Sequence, residues 1–361
     1  MEIDGMFAMS LIPGIGYKKQ KALYEMFSSQ GILDASRKQL EGCKSLTNTD
    51  IDNIILYSRN RSYFCEEMEK MKNKGIRFVA RGTKEYPDGL NYCHEPPWGI
   101  FVKGAMPAKN KKKVAIVGAR MCTPYGKSYA KEIARNLSNH DVQIVSGMAR
   151  GIDGYAQEEV VRCEGETFSV LAGGVDMIYP PEHDLLYEGI LKNGGVISEY
   201  PIGIKPCKGM FPRRNRMISA LSDAVIVIEA RTKSGSFITA DFALEQGKDI
   251  FVLPGRINDP LSEGCNRYIK QGAQIITSIS ELLEELGIEN NVGGEKKEEN
   301  KLLLEKEYSL VYSCLRLVPK GLDELALESG LGLIRVIEIV SKLQDMGMVE
   351  ECYKNQYIRS T

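Results

Sequence analysis

The chain has only 3 histidines in 361 residues, and its 9 cysteines are scattered with no Cys-x-x-Cys pair. A metal cluster and a disulfide framework both need closer spacing, so neither is expected, and the cysteines read as small apolar residues. An excess of one charge is also missing. Lys plus Arg number 47 against 48 Asp plus Glu, a net charge of -1. This argues against a protein that coats nucleic acid through overall basicity, but leaves room for a local basic patch. No apolar run is long enough for a membrane helix. The opening MEIDGMFAMSLIPGIG carries two acids and no basic leader, so a cytoplasmic location without membrane attachment is the expectation. His94, His140 and His183 flank no nucleophile motif, and Asp153, Asp176, Glu199 and Glu229 fall at strand ends where they cap helices or pair with arginine. No catalytic residue, metal or cofactor is therefore assigned.

At about 150 residues per domain, the length allows two to three domains. Residues 1–75 read as short helices. Leu11-Ile12-Pro13-Gly14-Ile15-Gly16 interrupts two helical patterns, like the turn of a helix-hairpin-helix or SAM-like module, in which glycine amides can meet a phosphate. From 76 to 286 the texture changes to apolar strands, each closed by a turn and followed by helical spacing: Lys113–Gly118, Val142–Gly147, Phe168–Gly174, Ala224–Glu229 and Asp249–Gly255. Such alternation predicts a doubly wound parallel sheet with helices on both faces, an extended Rossmann-like α/β fold. Residues 287–304 are polar and glycine-containing and read as a linker. Residues 305–361 give three amphipathic helices and a strand pair, the pattern of a winged helix. Its third helix sets Arg335 and Lys342 against Glu338 and Asp345, so a partner or self-association role is preferred there to duplex binding. Leu333, Val336, Ile337 and Val340 supply its apolar stripe.

In open parallel sheets ligands sit beyond the carboxyl ends of the strands. Four loops at that edge carry glycine, three of them with arginine or lysine: Gly118-Ala119-Arg120, Ser146-Gly147-Met148-Ala149-Arg150, Gly173-Gly174-Val175-Asp176, and Arg231-Thr232-Lys233-Ser234-Gly235. Neither G-x-G-x-x-G after the first strand nor G-x-x-x-x-G-K-[ST] is present, which disfavours a dinucleotide or P-loop nucleotide. A polyanion is the better fit. The stretch 201–222 holds Lys205, Lys208, Arg213, Arg214 and Arg216 with no acid, and Phe211 lies among them. An aromatic face beside guanidinium groups suits a single-stranded nucleic acid; a solvated basic loop around a buried Phe211 is the plainer alternative.

The ordered series Val114–Arg120, Ser146–Asp153, Gly173–Asp176 with Tyr179-Pro180, Ser198–Pro201, Phe211–Arg216, Glu229-Ala230 with Ser234–Ser236 and Thr239-Ala240, and Pro254-Gly255 resembles the DNA-processing protein A family, DprA or Smf. One departure is Ala156-Gln157, where that family usually has Ala-His. The resemblance implies a protein that binds single-stranded DNA, dimerises, protects incoming strands in natural transformation and helps load RecA recombinase. It places a phosphate pocket on Gly118, Arg120, Ser146, Gly147 and Arg150, beside Phe211–Arg216; Lys208 and Lys233 complete the candidate DNA-binding set. The alternative is a Rossmann-like nucleotide or nucleoside-phosphate hydrolase. Its P-G-G-x-G-T-x-x-E signature is incomplete here, since Phe242 stands at the position of the acid.

Overall fold

The computed structural model describes residues 4–232, 234–288, 306–315 and 319–359. Lys233 and most of the expected linker lie outside the described residues. Five helices come first: α1 (Gly5–Leu11), α2 (Tyr17–Gly31), α3 (Arg37–Glu41), α4 (Asn48–Arg59) and α5 (Arg61–Asn73). Their starts are written locally. Asp4 caps α1, and reciprocal Ser36–Gln39 and Thr47–Asp50 capping boxes open α3 and α4. They share one apolar core with Ile76, Ala80 and Phe101 of the adjoining sheet.

Nine strands form that sheet: β1 (Ile76–Ala80), β2 (Gly99–Gly104), β3 (Lys113–Gly118), β4 (Gln143–Ser146), β5 (Thr167–Val170), β6 (Gly195–Ser198), β7 (Ala224–Ile228), β8 (Asp249–Val252) and β9 (Gln274–Ile275), in the order β1-β2-β6-β5-β4-β3-β7-β8-β9. From β6 to β9 all neighbours are parallel; β1 and β2 add an antiparallel edge. Connecting them are α6 (Pro124–Asn139), α7 (Ile152–Arg162), α8 (Asp184–Asn193), α9 (Met210–Ala220), α10 (Gly235–Glu245) and α11 (Glu263–Lys270), with α12 (Ile279–Glu285) closing the series.

Alternate residues of each strand feed two different cores, as the pleat requires. Val114, Ile116 and Ile144 pack with α6, α7 and α12, while Ala115, Val117 and Val145 pack with α9 and α10 on the other face. The fold is the extended Rossmann-like α/β class. Strand order reverses at β3: the chain winds out through β4 to β6, then returns to lay β7 against the opposite side of β3. That reversal opens a crevice at the carboxyl ends of β3 and β7.

Towards the C-terminal end come α13 (Lys306–Cys314), β10 (Lys320–Gly321), α14 (Leu322–Ser329), α15 (Leu333–Asp345), β11 (Val349–Tyr353) and β12 (Gln356–Arg359), a winged-helix arrangement with its own core. The wing is three-stranded, β10-β12-β11, where the sequence suggested a pair. The inward stripe of α15 is Val336, Ile339, Val340 and Leu343, whereas Leu333 and Ile337 are exposed. Ile337 lies 60° from Val340, off the edge of the stripe, while Leu333, only 20° from Val340 in rotation, is exposed at the first position of the helix. Among the described residues no helix is long and apolar enough to cross a membrane.

Candidate nucleic-acid interface

A cavity of about 610 Å³ occupies the crevice where strand order reverses. Gly118 and Arg120 reach it from the end of β3, Ala149 from the β4–α7 turn and Asp153 from the first turn of α7, Tyr179 from the loop after β5, Lys208 from the loop before α9, Phe211, Arg214 and Asn215 from the start of α9, and Ser234, Ser236 and Thr239 from the start of α10. The approach of these elements depends on residues without side chains. A Cβ on Gly118 would lie 1.9 Å from the Ile228 carbonyl. Gly151, at φ +76°, lets its turn pass the Arg120 loop, where a Cβ would meet the Ala119 carbonyl at 2.2 Å. Glu229 fixes the same loop from below. Its carboxylate accepts from the Thr123 N–H at 2.7 Å and from the Thr123 hydroxyl, so Arg120 is presented by a braced turn.

Arg120 is exposed, and its guanidinium stands 5.2 Å from the Phe211 ring centroid. Phe211 in turn lies 5.4 Å from the Tyr179 ring, tilted by 56°. Arg214 forms the floor. It is 5% exposed, and its guanidinium donates to the carbonyls of Gly147, at 2.8 Å, and Val170. Burial lowers its pKa to about 10, opposed by the field of Asp153, so it remains a cation at neutral pH. No carboxylate lies within ion-pair distance of it among the described residues. Asp153 is buried and pushed upward by that burial, an effect countered by Arg214 and by the Gly147 N–H it accepts at 3.2 Å. The wall thus holds Arg120, Lys208 and Arg214 against one buried acid.

The other expected residues are placed differently. Ser146 is fully buried and donates to the Ile116 carbonyl at 2.6 Å, and Gly147 is the ledge against which Arg214 rests. Arg150 points along the surface to Glu182. Arg213 and Arg216 turn away from the cavity and share Glu199, at 3.0 and 2.6 Å. Arg216 is 2% exposed, so the basic stretch is not one exposed loop. The reason is helical: Arg213 and Arg216 are three residues apart on α9 and face one way, while Arg214 faces another. Asp176 is paired with Lys74, and Glu199 and Glu229 are bound as described, which accounts for the acids at the strand ends. Gln157, at the departure from the usual histidine, is buried and donates to Thr167 and Ser169 across β5.

Tyr179 and Asn215 line the cavity without having been singled out as binding residues, together with the Ser234–Ser236 turn of the fourth expected loop. Tyr179 is signalled only by the Tyr-Pro pair after Gly173–Asp176. Ser234 caps α10 and points the N-terminal end of that helix at the crevice.

The sequence pattern of the DNA recombination-mediator protein A family fits residues 77–287, more than half of the chain and all of the sheet but the first residue of β1. The chain belongs to that family. DNA processing protein DprA of Bacillus subtilis is 41% identical over 216 residues, 60% of this chain and 73% of that protein. The X-ray structure of DNA processing protein A from Streptococcus pneumoniae matches with a TM-score of 0.69 at 30% identity, covering 79% of this chain and 99% of that one. DNA processing protein A from Helicobacter pylori, whose structure is described for its single-stranded DNA binding mode, matches at 0.54 and 36% identity over 58% of this chain and 95% of that one.

Proposed function

We propose that this chain binds single-stranded DNA through its backbone at the crevice between β3 and β7, and that it does so as a homodimer that protects incoming strands and helps load RecA recombinase during natural transformation. The observation that carries the DNA reading is Arg214. A buried guanidinium bonded only to neutral groups raises the energy of the empty cavity, and an anion entering beside it recovers that energy. Arg120 and Lys208 at the rim are the groups that meet phosphates first, and Phe211 with Tyr179 offers ring faces to bases. A duplex keeps its bases stacked inside, so these rings favour single strands. No lining group is shaped to read base edges, and the binding is expected to be sequence-tolerant.

Support from relatives is of two kinds. The Helicobacter pylori protein is described as binding single-stranded DNA. The RecA and dimer roles rest on the family resemblance alone. A hydrolytic role would fall to Asp153, the one carboxylate lining the cavity among the described residues, but it already accepts from the backbone N–H groups of Gly147 and Gly118. Binding without catalysis is therefore the reading adopted. A gel shift with single-stranded and duplex DNA of equal length tests it: preference for the single strand supports the proposal, and equal or stronger duplex binding removes it.

A further inference from the structure

Outside the cavity, the described residues carry a second concentration of positive charge. Lys127, Lys131 and Arg135 follow one another at i, i+4 and i+8 along α6, a stripe about 12 Å long at 1.5 Å per residue. Arg162 joins them from α7 and Arg359 from the wing, around a cleft of about 270 Å³. The Lys127 and Lys131 ammonium groups sit 5.3 and 5.9 Å from the Tyr155 ring centroid, so an aromatic face is interleaved with the cations. Glu159 is fully committed to Arg135 and Arg162. Lys131 has no carboxylate partner among the described residues, and Lys127 has only one, Glu350 of β11.

This face adjoins the cavity. Helix α7 begins at the cavity wall with Asp153, and Tyr155 is two residues further on; α6 begins four residues after Arg120. We propose that the α6–α7 face is a second phosphate-binding site, which takes the tail of a single strand leaving the cavity, and that Glu350 of the wing holds the place of one phosphate there. The proposal rests on the cavity being the primary DNA site. Glu350 presents to Lys127 the same anionic oxygens that a phosphate would present. Longer strands then displace the wing, and strands short enough to fill only the cavity leave it in place.

The test uses the full-length chain and fluorescence anisotropy with two labelled single strands, one of about 5 nucleotides and one of about 20, a range set by the site sizes of single-strand binding folds. Lys131→Ala is expected to weaken the long strand by about two- to fivefold and to reduce the magnitude of its logarithmic salt slope by about 0.7, while the short strand is unchanged. Glu350→Gln is expected to strengthen the long strand by about two- to fivefold and again to spare the short one. Lys131 makes only its ring contact and Glu350 is at the surface, so neither change threatens folding, and circular dichroism verifies this. An unchanged long strand in Lys131→Ala overturns the second site. An unchanged or weaker long strand in Glu350→Gln overturns the role of the wing. Arg120→Ala separates the two levels: if it spares the short strand, the primary cavity itself is wrong, whatever the two other variants do.

Discussion

Arg120→Ala isolates the charge of the cavity from its architecture. The side chain is exposed, bonded to no carboxylate among the described residues, and touches the fold through the Phe211 ring. Its removal should therefore change stability by no more than about 0.5 kcal/mol, the usual range for a surface site. The effect on DNA is larger. A charge-assisted hydrogen bond to a phosphate contributes about 1.5–3 kcal/mol, and an exposed position takes the low end. The expected loss of affinity is about 1.5 kcal/mol, or roughly tenfold. One phosphate contact fewer also reduces the magnitude of the single-strand salt slope by about 0.7. Anisotropy titrations of a labelled single strand at four or so salt concentrations read both quantities, with a thermal melt beside them. An unchanged slope together with unchanged affinity would refute the assignment of Arg120 to phosphate.

Four other outcomes follow from the same contacts. Arg216→Ala should cost about 3 kcal/mol and lower the melting temperature by roughly 6–12 °C, because it empties a buried position and strips Glu199 of its nearer partner; the folded fraction should still bind DNA. Gly147→Ala places a Cβ 2.5 Å from the Arg214 guanidinium, so both stability and single-strand affinity should fall, where an affinity loss alone would speak against the crowding. Burial raises the Glu159 pKa, but hydrogen bonds from Arg162 and Arg135 prevail and bring it down to about 2, below its ordinary 4.5. A depressed carboxylate stabilises the fold above that ordinary value, and the contribution is lost as pH falls from 4.5 towards 2; urea titrations in this window should show Glu159→Gln less acid-sensitive than the parent by about 1–2 kcal/mol after allowance for solvent screening. Truncation after Ile288 should leave a chain that is folded by circular dichroism and still binds a short single strand, since the sheet has its own cores and Ile288 is the last of the described residues packed against them.

The parallel sheet was legible because β3, β7 and β8 are apolar runs buried on both faces and closed by turns, a pattern that few other arrangements produce. β6 was less so: its four residues Gly195–Ser198 open on a glycine and are too short to display a period. β1 and β2 were also hidden, since these antiparallel strands mix polar residues such as Arg77 and Lys103 into the run. For the site, the loops could be read from glycine and arginine after each strand, but side-chain direction could not. As a string, Phe211 to Arg216 shows three arginines that nothing local tells apart. Only the phase of α9 shows that Arg214 turns to the cavity floor while Arg213 and Arg216 turn to Glu199, and that phase is set by the burial of Met217, Ile218 and Ala220 further along the helix. Tyr179 was likewise out of reach, because its meeting with Phe211 joins a loop to the start of α9 more than thirty residues on. Long-range meetings of this kind follow from topology and leave no local mark.

The most direct measurement is ultraviolet cross-linking of a single-stranded oligonucleotide to the full-length chain, followed by mass spectrometry of the modified peptides. Bases stacked in the crevice between β3 and β7 should give adducts on the peptides that contain Phe211 and Tyr179, and these should disappear in competition with unlabelled single strand. Adducts confined to residues 306–359, with none on the crevice peptides, would contradict a DNA site at the reversal of the sheet.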